Sequence, residues 1–322
     1  MNKKARGLKG NDMIQTEQVI QEVKKLIKGK DACVCKVFAA MLAGGHILID
    51  DVPGVGKTTL AVAFSQAMQL ENRRVQFTPD VLPADILGFS MYQKETGQFV
   101  YYPGAGICNL FLADEINRTS PKTQSALLEV MEEGRVTVDG VTREMPEPFL
   151  VMATQNPKGS AGTQLLPESQ LDRFMICVSM GYPDAATEIE IARGKSVSEE
   201  QETIYPVIDA AGLCELQRAA REVFVQDEIY HYIVRLVTAT RNNQYIDLGL
   251  SPRGTIACTK MAKAWAFLQG RNYVLPEDVE EVFPDVARHR IVLNTRSRAA
   301  HVTELQVITQ ILKEVPQPTA QK

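Results

Sequence analysis

The stretch HILIDDVPGVGKTTL, residues 46–60, decides how this chain folds. It begins with four mostly apolar residues, continues through a loop containing Gly54 and Gly56, and ends in a lysine and two threonines that open an amphipathic run. This is the strand, glycine loop and helix of a phosphate-binding P-loop, the Walker A motif. The glycines let backbone N–H groups point inward, and the positive end of the helix dipole adds to the attraction for an anion. The predicted phosphate-binding residues are Asp51, Val52, Pro53, Gly54, Val55, Gly56, Lys57, Thr58 and Thr59.

Two side chains of this loop carry specific chemistry. Lys57 would reach the β- and γ-phosphates, and the Thr58 hydroxyl would be a ligand of Mg²⁺. One position departs from the usual pattern G-x-x-x-x-G-K-[ST], because Asp51 stands where the motif has its first glycine. Aspartate accepts unusual φ angles better than most residues, so we expect the loop to close.

The composition is that of a folded protein with an apolar core. Hydrophobic residues make up 45% of the 322 residues and charged residues 23%. A net charge of −4 gives no electrostatic reason to expect nucleic acid or an anionic membrane as the main partner. The six cysteines show neither C-x-x-C pairs nor metal-site spacing, and no segment resembles a signal peptide or a membrane span. We therefore expect reduced thiols and a cytoplasmic location.

The chain changes character after Pro183. Up to that point strands alternate with helices, which predicts a parallel sheet with helices on both faces. Beyond it, helical periodicity dominates and strand signals are few. We therefore predict an α/β nucleotide-binding core over residues 1–183 and an all-helical lid over residues 184–322. The helices predicted in the lid cover residues 187–192, 213–223, 227–241, 251–268 and 276–286.

Two hairpins are predicted within the core. Residues 135–145 turn around Asp139-Gly140, which is a strong signal for a type I′ turn. Residues 89–106 turn at 94–97 and are rich in aromatic side chains. The second hairpin has two open interpretations: ordinary packing on the core, or a mobile element that contacts a client or a pore.

A second nucleotide motif follows the P-loop. Residues 109–113, which are apolar from Leu110 onward, are predicted to form a buried strand that leads directly into Asp114-Glu115, the Walker B pattern. Asp114 would hold Mg²⁺ through water, and Glu115 would polarise the attacking water. Two adjacent carboxylates at the end of a buried strand are costly without a cation, so their presence favours a metal-assisted site.

Taken together, several segments make the chain resemble the MoxR family of AAA+ ATPases. The resemblance covers nearly the whole chain, from about Val19 to Ile311, and implies a P-loop AAA+ core followed by a helical lid. Each motif is loose by itself, but their order is specific. The segments are DEINR at 114–118, ATQNP at 153–157, LPESQLDRF at 166–174 and SPR at 251–253.

The resemblance assigns roles to further residues. Asn156 resembles the polar sensor that orients the attacking water near the γ-phosphate. Arg173 resembles the arginine finger offered to the nucleotide of the neighbouring subunit, where a guanidinium neutralises charge in the transition state. Arg253 resembles the lid arginine that senses the γ-phosphate, and bound ATP would close the lid through it. Arg118 could also act across a subunit interface, although Arg173 ranks above it.

The resemblance also implies a function. It indicates an ATP-hydrolysing ring, expected to be a hexamer, that uses ATP and Mg²⁺ to remodel protein clients as a chaperone. The expected partners are other copies of this chain and a protein client, for which a von Willebrand factor A domain protein is the candidate. No nucleic acid and no membrane insertion are expected. The two hairpins match insertions that line the surface or pore of such rings.

Three alternatives remain open at this point. An ATPase subunit of a magnesium-chelatase-like metal-insertion complex belongs to the same clade and would copurify with a porphyrin-binding subunit. A nucleic-acid motor is disfavoured by the net charge and by the lack of a basic stripe. A regulatory scaffold that binds nucleotide without hydrolysing it is disfavoured by the presence of Glu115, Asn156 and Arg173.

Overall fold

The structure is a computed structural model of the 322-residue chain. Two predicted site residues, Pro53 and Asn156, lie outside the described residues, and so does most of the helix predicted at 187–192. The described residues are 10–52, 54–155, 166–183 and 203–318, together with 185, 188 and 189.

Strands and helices alternate through the first half of the described chain, and helices dominate the second half. The strands are β1 (Ile47–Asp50), β2 (Asn72–Gln76), β3 (Phe89–Gln93), β4 (Gln98–Tyr102), β5 (Leu110–Asp114), β6 (Arg135–Val138), β7 (Val141–Glu144), β8 (Leu150–Gln155), β9 (Ile176–Val178), β10 (Ile246–Leu248) and β11 (Val292–Leu293). The helices are α1 (Gly10–Leu26), α2 (Asp31–Leu42), α3 (Lys57–Ala67), α4 (Pro83–Leu87), α5 (Pro121–Glu133), α6 (Glu168–Leu171), α7 (Ala210–Arg221), α8 (Asp227–Arg241), α9 (Pro252–Leu268), α10 (Pro276–Ala287), α11 (Thr295–Ala299) and α12 (Glu304–Glu314).

Five strands form one parallel sheet in the spatial order β2-β5-β8-β1-β9. Alternate residues of β1 face opposite sides of this sheet. Ile47 and Ile49 belong to the apolar cluster that includes residues of α1, α2 and α3, whereas Leu48 packs with Leu127 and Leu128 of α5. The predicted parallel sheet with helices on both faces is therefore confirmed, and all five strands end at the same edge.

Helix boundaries in the core follow local chemistry. The Ser120 hydroxyl accepts the N–H of Thr123 (3.3 Å) and caps α5, and Pro121 occupies the first helical position, where its missing N–H is not needed. The helical periodicity that begins at Lys57 predicts a P-loop helix as far as about Gln69, and the helix ends at Ala67, two residues earlier. Such differences of about two residues are usual at element ends.

The two predicted hairpins are present and contact each other. In the turn between β6 and β7, Asp139 and Gly140 both have positive φ, +51° and +74°, as a type I′ turn requires. Strands β3 and β4 form the second hairpin. The guanidinium of Arg143, on β7, lies 3.8 Å from the ring centroid of Tyr101, on β4. The two hairpins therefore meet through a cation–π contact.

The second half of the chain is a helical lid that packs on the core. Helix α9 lies against α10, α8 and α2, and the Gln217 amide donates to the Met41 carbonyl (2.8 Å). The short antiparallel pair β10–β11 departs from the all-helical prediction, because strands of two or three residues are too short to show a periodicity. The boundary at residue 183 stays a prediction. No described helix has both the length and the apolar character needed to cross a membrane.

The cysteines are free thiols, as the sequence predicts. Burial raises the pKa of Cys33, Cys108, Cys177 and Cys258 to about 12. These thiols are therefore protonated at neutral pH and behave as small core residues.

Candidate nucleotide-binding and hydrolysis site

The loop between β1 and α3 has the shape of a phosphate-binding loop. Gly54 and Gly56 have φ angles of +87° and +94°, in the left-handed region that glycine adopts without steric cost. Lys57 directly follows as the first residue of α3, with Thr58 and Thr59 in the same turn. The free N–H groups and the dipole of that turn attract anions. The structure thus places β1, the described residues of the loop and α3 where the sequence predicts a strand, a loop and a helix.

Asp51 ties this loop to the end of β9. One of its carboxylate oxygens accepts the backbone N–H groups of Met180 (2.6 Å) and Gly181 (2.8 Å), and the Ser179 hydroxyl (3.0 Å). The other oxygen accepts the N–H of Val52 (3.0 Å). Asp51 is not among the described residues with positive φ, so this position does not require the glycine of the usual motif. Its carboxylate instead closes the loop onto the neighbouring strand.

Lys57 is buried among acidic groups. Its ammonium donates to the Asp51 carbonyl (2.7 Å). Burial lowers the pKa of Lys57, and the negative charges of Asp114, Asp51 and Glu115 oppose that shift. One buried cation thus lies close to several carboxylates, which is the combination that binds a nucleoside triphosphate together with a divalent cation. The chain's own residues fit ATP and Mg²⁺ at this place.

Asp114 reaches the same sheet edge at the end of β5. The Thr154 hydroxyl, on β8, donates to one of its oxygens (2.6 Å), and Arg74, on β2, forms an ion pair with the other (2.6 Å). Carboxylate and hydroxyl oxygens such as those of Asp114 and Thr58 are the ligands Mg²⁺ prefers. The carboxylate is therefore held in a fixed orientation by residues of both adjacent strands.

Glu115 has a strained backbone. Its φ of +56° lies in the left-handed region, which costs a non-glycine residue about 1 to 2 kcal/mol. Its N–H donates to the Thr154 hydroxyl (2.9 Å), and its carboxylate pairs with Arg118 (2.7 Å). Strain of this kind is typical of functional positions. Arg118 is thereby placed beside the carboxylates of its own chain.

Arg173 and Arg253 lie together at the opposite edge of the sheet. Arg173 comes just before β9, where the N–H of Met175 donates to the His46 carbonyl (2.7 Å) immediately before β1. Both guanidiniums pair with the Glu132 carboxylate, Arg173 at 3.1 Å and Arg253 in a closer contact. A four-residue strand spans roughly 13 Å, so the sheet separates both arginines from the P-loop of their own chain. The structure therefore does not bring Arg253 to that loop.

The sequence alone does not identify several residues that hold the predicted site residues in place. Asp172 accepts the Nε–H of the buried Arg290 (2.8 Å) and the Ser251 hydroxyl (2.7 Å), which joins the core to the lid. Asp172 and Ser251 lie inside the motifs LPESQLDRF and SPR, and those motifs are the sequence signal for them. Glu132 and Arg74 carry no local signal, because their partners are distant in sequence.

Family models match two parts of the chain. Residues 46–176 match the model described as ATPase family associated with various cellular activities (AAA), and residues 238–311 match the AAA lid domain. The uncharacterized protein YeaC of Bacillus subtilis (strain 168) is 44% identical over 301 residues, which is 94% of each chain. Chaperone MoxR1 of Mycobacterium tuberculosis is 40% identical over 311 residues, covering 94% of this chain and 82% of that protein.

A solved structure and a more distant relative complete the comparison. A candidate ATPase from Cytophaga hutchinsonii ATCC 33406 superposes with a TM-score of 0.87 at 36% identity, over 96% of this chain and 97% of that one. Magnesium-chelatase subunit ChlI of Chlamydomonas reinhardtii is only 26% identical over 213 residues, covering 64% of this chain and 48% of that protein. The chain therefore belongs to the MoxR family of AAA+ ATPases, enzymes that hydrolyse ATP.

Proposed function

We propose that this chain is the subunit of a ring-shaped chaperone ATPase in which each nucleotide pocket is completed by the next subunit. The observation that carries the proposal is the separation of the charged groups: Lys57 lies at one sheet edge, and Arg173 and Arg253 at the other. One chain cannot bring those guanidiniums to its own phosphate site without crossing the sheet. A head-to-tail assembly brings the two edges together, and such contacts can close into rings.

Within one pocket the residues have separate roles. Lys57 and the loop N–H groups bind the phosphates, and Thr58 and Asp114 hold Mg²⁺. Bound Mg²⁺ supplies charge neutralisation at the β- and γ-phosphates. Glu115 polarises the attacking water, and Asn156 orients it, as the family resemblance implies.

Arg173 and Arg253 both serve the pocket of the neighbouring subunit in this proposal. Their shared contact with Glu132 supports a common target. Guanidiniums at that place neutralise charge that develops in the transition state. This differs from the expectation that Arg253 closes the lid on the nucleotide of its own chain.

Hydrolysis in turn serves the remodelling of protein clients in the cytoplasm. The 40% identity to a protein named as a chaperone supports this role. A hexamer and a von Willebrand factor A domain partner are the assembly we expect. The magnesium-chelatase alternative is less well supported, because the relative of that name matches a smaller share of the chain at lower identity. Copurification with a porphyrin-binding subunit would favour that alternative.

Mixing two inactive variants tests the shared pocket. Arg173→Ala keeps an intact pocket but has no arginine to offer, and Glu115→Gln keeps the arginine but has a disabled pocket. Each variant alone is expected to show less than about 1% of wild-type turnover. Mixed in equal amounts before ATP is added, they should regain about a quarter of wild-type activity, since roughly one interface in four joins an intact pocket to an intact arginine.

The control mixture combines Lys57→Ala with Glu115→Gln. Both of these variants carry their defect in the pocket, so their mixture should stay inactive. If Arg173 acts within its own chain, the first mixture stays as inactive as this control. That result, obtained with variants shown by size-exclusion chromatography to coassemble, would overturn the shared pocket.

A further inference from the structure

Glu132, near the end of α5, joins two arginines that would otherwise repel each other. One carboxylate oxygen pairs with Arg173 at 3.1 Å, and the other pairs with Arg253. Arg173 belongs to the core and Arg253 to the first turn of α9, so the bridge links the core to the lid. The three side chains remain partly exposed, Arg173 at 27%, Glu132 at 39% and Arg253 at 44%. The bridge is therefore open to an approaching group.

The two arginines and Glu132 together keep a net positive charge. Two guanidiniums against one carboxylate carry one net positive charge. In addition, the Nε–H of Arg173 is buried and has no hydrogen-bond partner among the described residues. An unpaired buried donor is unfavourable, so this arginine can gain a further acceptor. The net positive charge can therefore attract a phosphate to the partly exposed guanidiniums while Glu132 stays in place.

The main chain around both arginines is anchored separately. Asp172 is held by Arg290 and by the Ser251 hydroxyl. The Ser251 oxygen also accepts the N–H of Gly254 (3.3 Å), and so caps the helix that carries Arg253. These contacts fix the backbone positions from which the two arginine side chains extend. Among the described residues, the contact with Glu132 sets the direction in which the two guanidiniums point.

We propose that Glu132 is a positioning residue, which holds the guanidiniums of Arg173 and Arg253 side by side for the phosphates bound by the neighbouring subunit. This inference rests on the proposed function, because it requires the arginines to act across an interface. Glu132 itself touches neither nucleotide nor attacking water. Its loss should therefore reduce stabilisation of the transition state more than binding of ATP.

The test is Glu132→Gln in the assembled protein, with kcat and KM for ATP measured separately. Glutamine keeps the size and removes the charge. We expect kcat to fall about 10- to 100-fold, as for a misplaced catalytic group, with KM changed by less than about threefold. Glu132→Asp keeps the charge on a shorter side chain and should recover part of the loss. Glu133→Gln is the matched control, because Glu133 pairs with Arg135 at the surface and should keep wild-type kcat.

A double-mutant comparison separates positioning from a structural role. In an Arg173→Ala background, the loss caused by Glu132→Gln should shrink to about threefold or less, since one of the two positioned groups is gone. An unchanged kcat for Glu132→Gln, or the same loss in both backgrounds, would overturn the positioning role and leave the shared pocket standing. If Arg173→Ala alone keeps wild-type kcat, the shared pocket fails, and the role of Glu132 fails with it.

Discussion

At the scale of single residues, one hydroxyl of Thr154 holds both acidic residues of the site, Asp114 by its carboxylate and Glu115 by its backbone N–H. It donates to Asp114 (2.6 Å) and accepts the N–H of Glu115 (2.9 Å). Thr154 is fully buried, so water cannot replace either hydrogen bond. The strained backbone of Glu115 therefore depends on this side chain.

We expect Thr154→Val to lower both stability and turnover. Valine has nearly the same shape but leaves the Glu115 N–H unpaired, which should lower the free energy of unfolding by about 1 to 3 kcal/mol. The kcat should also fall, because Asp114 and Glu115 lose their fixed orientation. Urea unfolding and steady-state ATP hydrolysis measure the two effects.

Thr154→Ser is the matched control for this prediction. Serine keeps the hydroxyl and removes only a methyl group, so its kcat should stay near that of the wild type. Equal behaviour of the serine and valine variants would show that the hydroxyl does not organise the site.

At the scale of elements, the hairpin β3–β4 presents an apolar surface to solvent. Phe99 is 74% exposed. The centroid of its ring lies 5.4 Å from the ring centroid of Tyr92, which is also exposed. Phe89 and Met91, on β3, are half exposed. Exposed aromatic clusters of this kind often mark interaction sites. The sequence leaves packing and client contact open, and this exposure favours client contact.

We therefore expect Phe99→Ser to impair client binding without affecting the fold. Stability should change by less than about 0.5 kcal/mol, as for most surface substitutions, and basal ATP turnover should stay unchanged. In a Glu115→Gln background with ATP, the amount of client protein retained in affinity capture should fall by at least about half.

Leu305→Ser serves as the control, because Leu305 is an exposed apolar residue on α12, in the lid. It should retain clients as well as the parent protein does. A loss of stability above about 1 kcal/mol for Phe99→Ser would instead support the packing interpretation.

At the scale of the whole molecule, His46 couples stability to pH. The N–H of Val151 donates to its Nδ1 (3.0 Å), so this nitrogen is unprotonated, and Nε2 donates to the Met131 carbonyl (2.9 Å). Burial lowers the pKa of His46 to about 4, with the Met131 hydrogen bond opposing the shift. The neutral ring thus joins the end of α5 to β8.

The direction of the pH effect follows from this lowered pKa. Between pH 6.5 and 4 the unfolded chain binds a proton that the folded chain excludes, so the stabilisation is complete above pH 6.5 and is lost as the pH falls towards 4. We expect a loss of about 2 kcal/mol in the free energy of unfolding by pH 5. Urea unfolding between pH 5 and 7.5 measures it.

Two variants isolate the contribution of His46. His46→Gln can form both hydrogen bonds without titrating and should flatten the pH dependence, although His289, whose pKa burial also lowers, should preserve part of it. His231→Gln changes an exposed histidine on α8 and should leave the pH dependence as in the wild type. A wild-type slope in His46→Gln would contradict the assignment.

The sequence predicts those features of the structure whose causes lie in neighbouring residues. The P-loop, the strand before Asp114 and the turn at Asp139 are encoded by neighbouring residues, and all three form where predicted. The contact of Glu132 with Arg173 joins residues far apart in the chain, and it forms only because α5 and the loop before β9 end at the same sheet edge. Pairings of this kind depend on topology, which the periodicity of a single sequence does not contain.

The attachment of Asp51 to the end of β9 has a mechanical consequence. The residues that it binds, Ser179 to Gly181, lie just before Tyr182, whose carbonyl accepts the ammonium of Lys30 (2.6 Å). The chain leaves the sheet for its helical half through this short segment. A displacement of the loop during the nucleotide cycle would therefore pass to this segment through the Asp51 carboxylate. We expect the chemical state of the pocket and the angle of the lid to vary together.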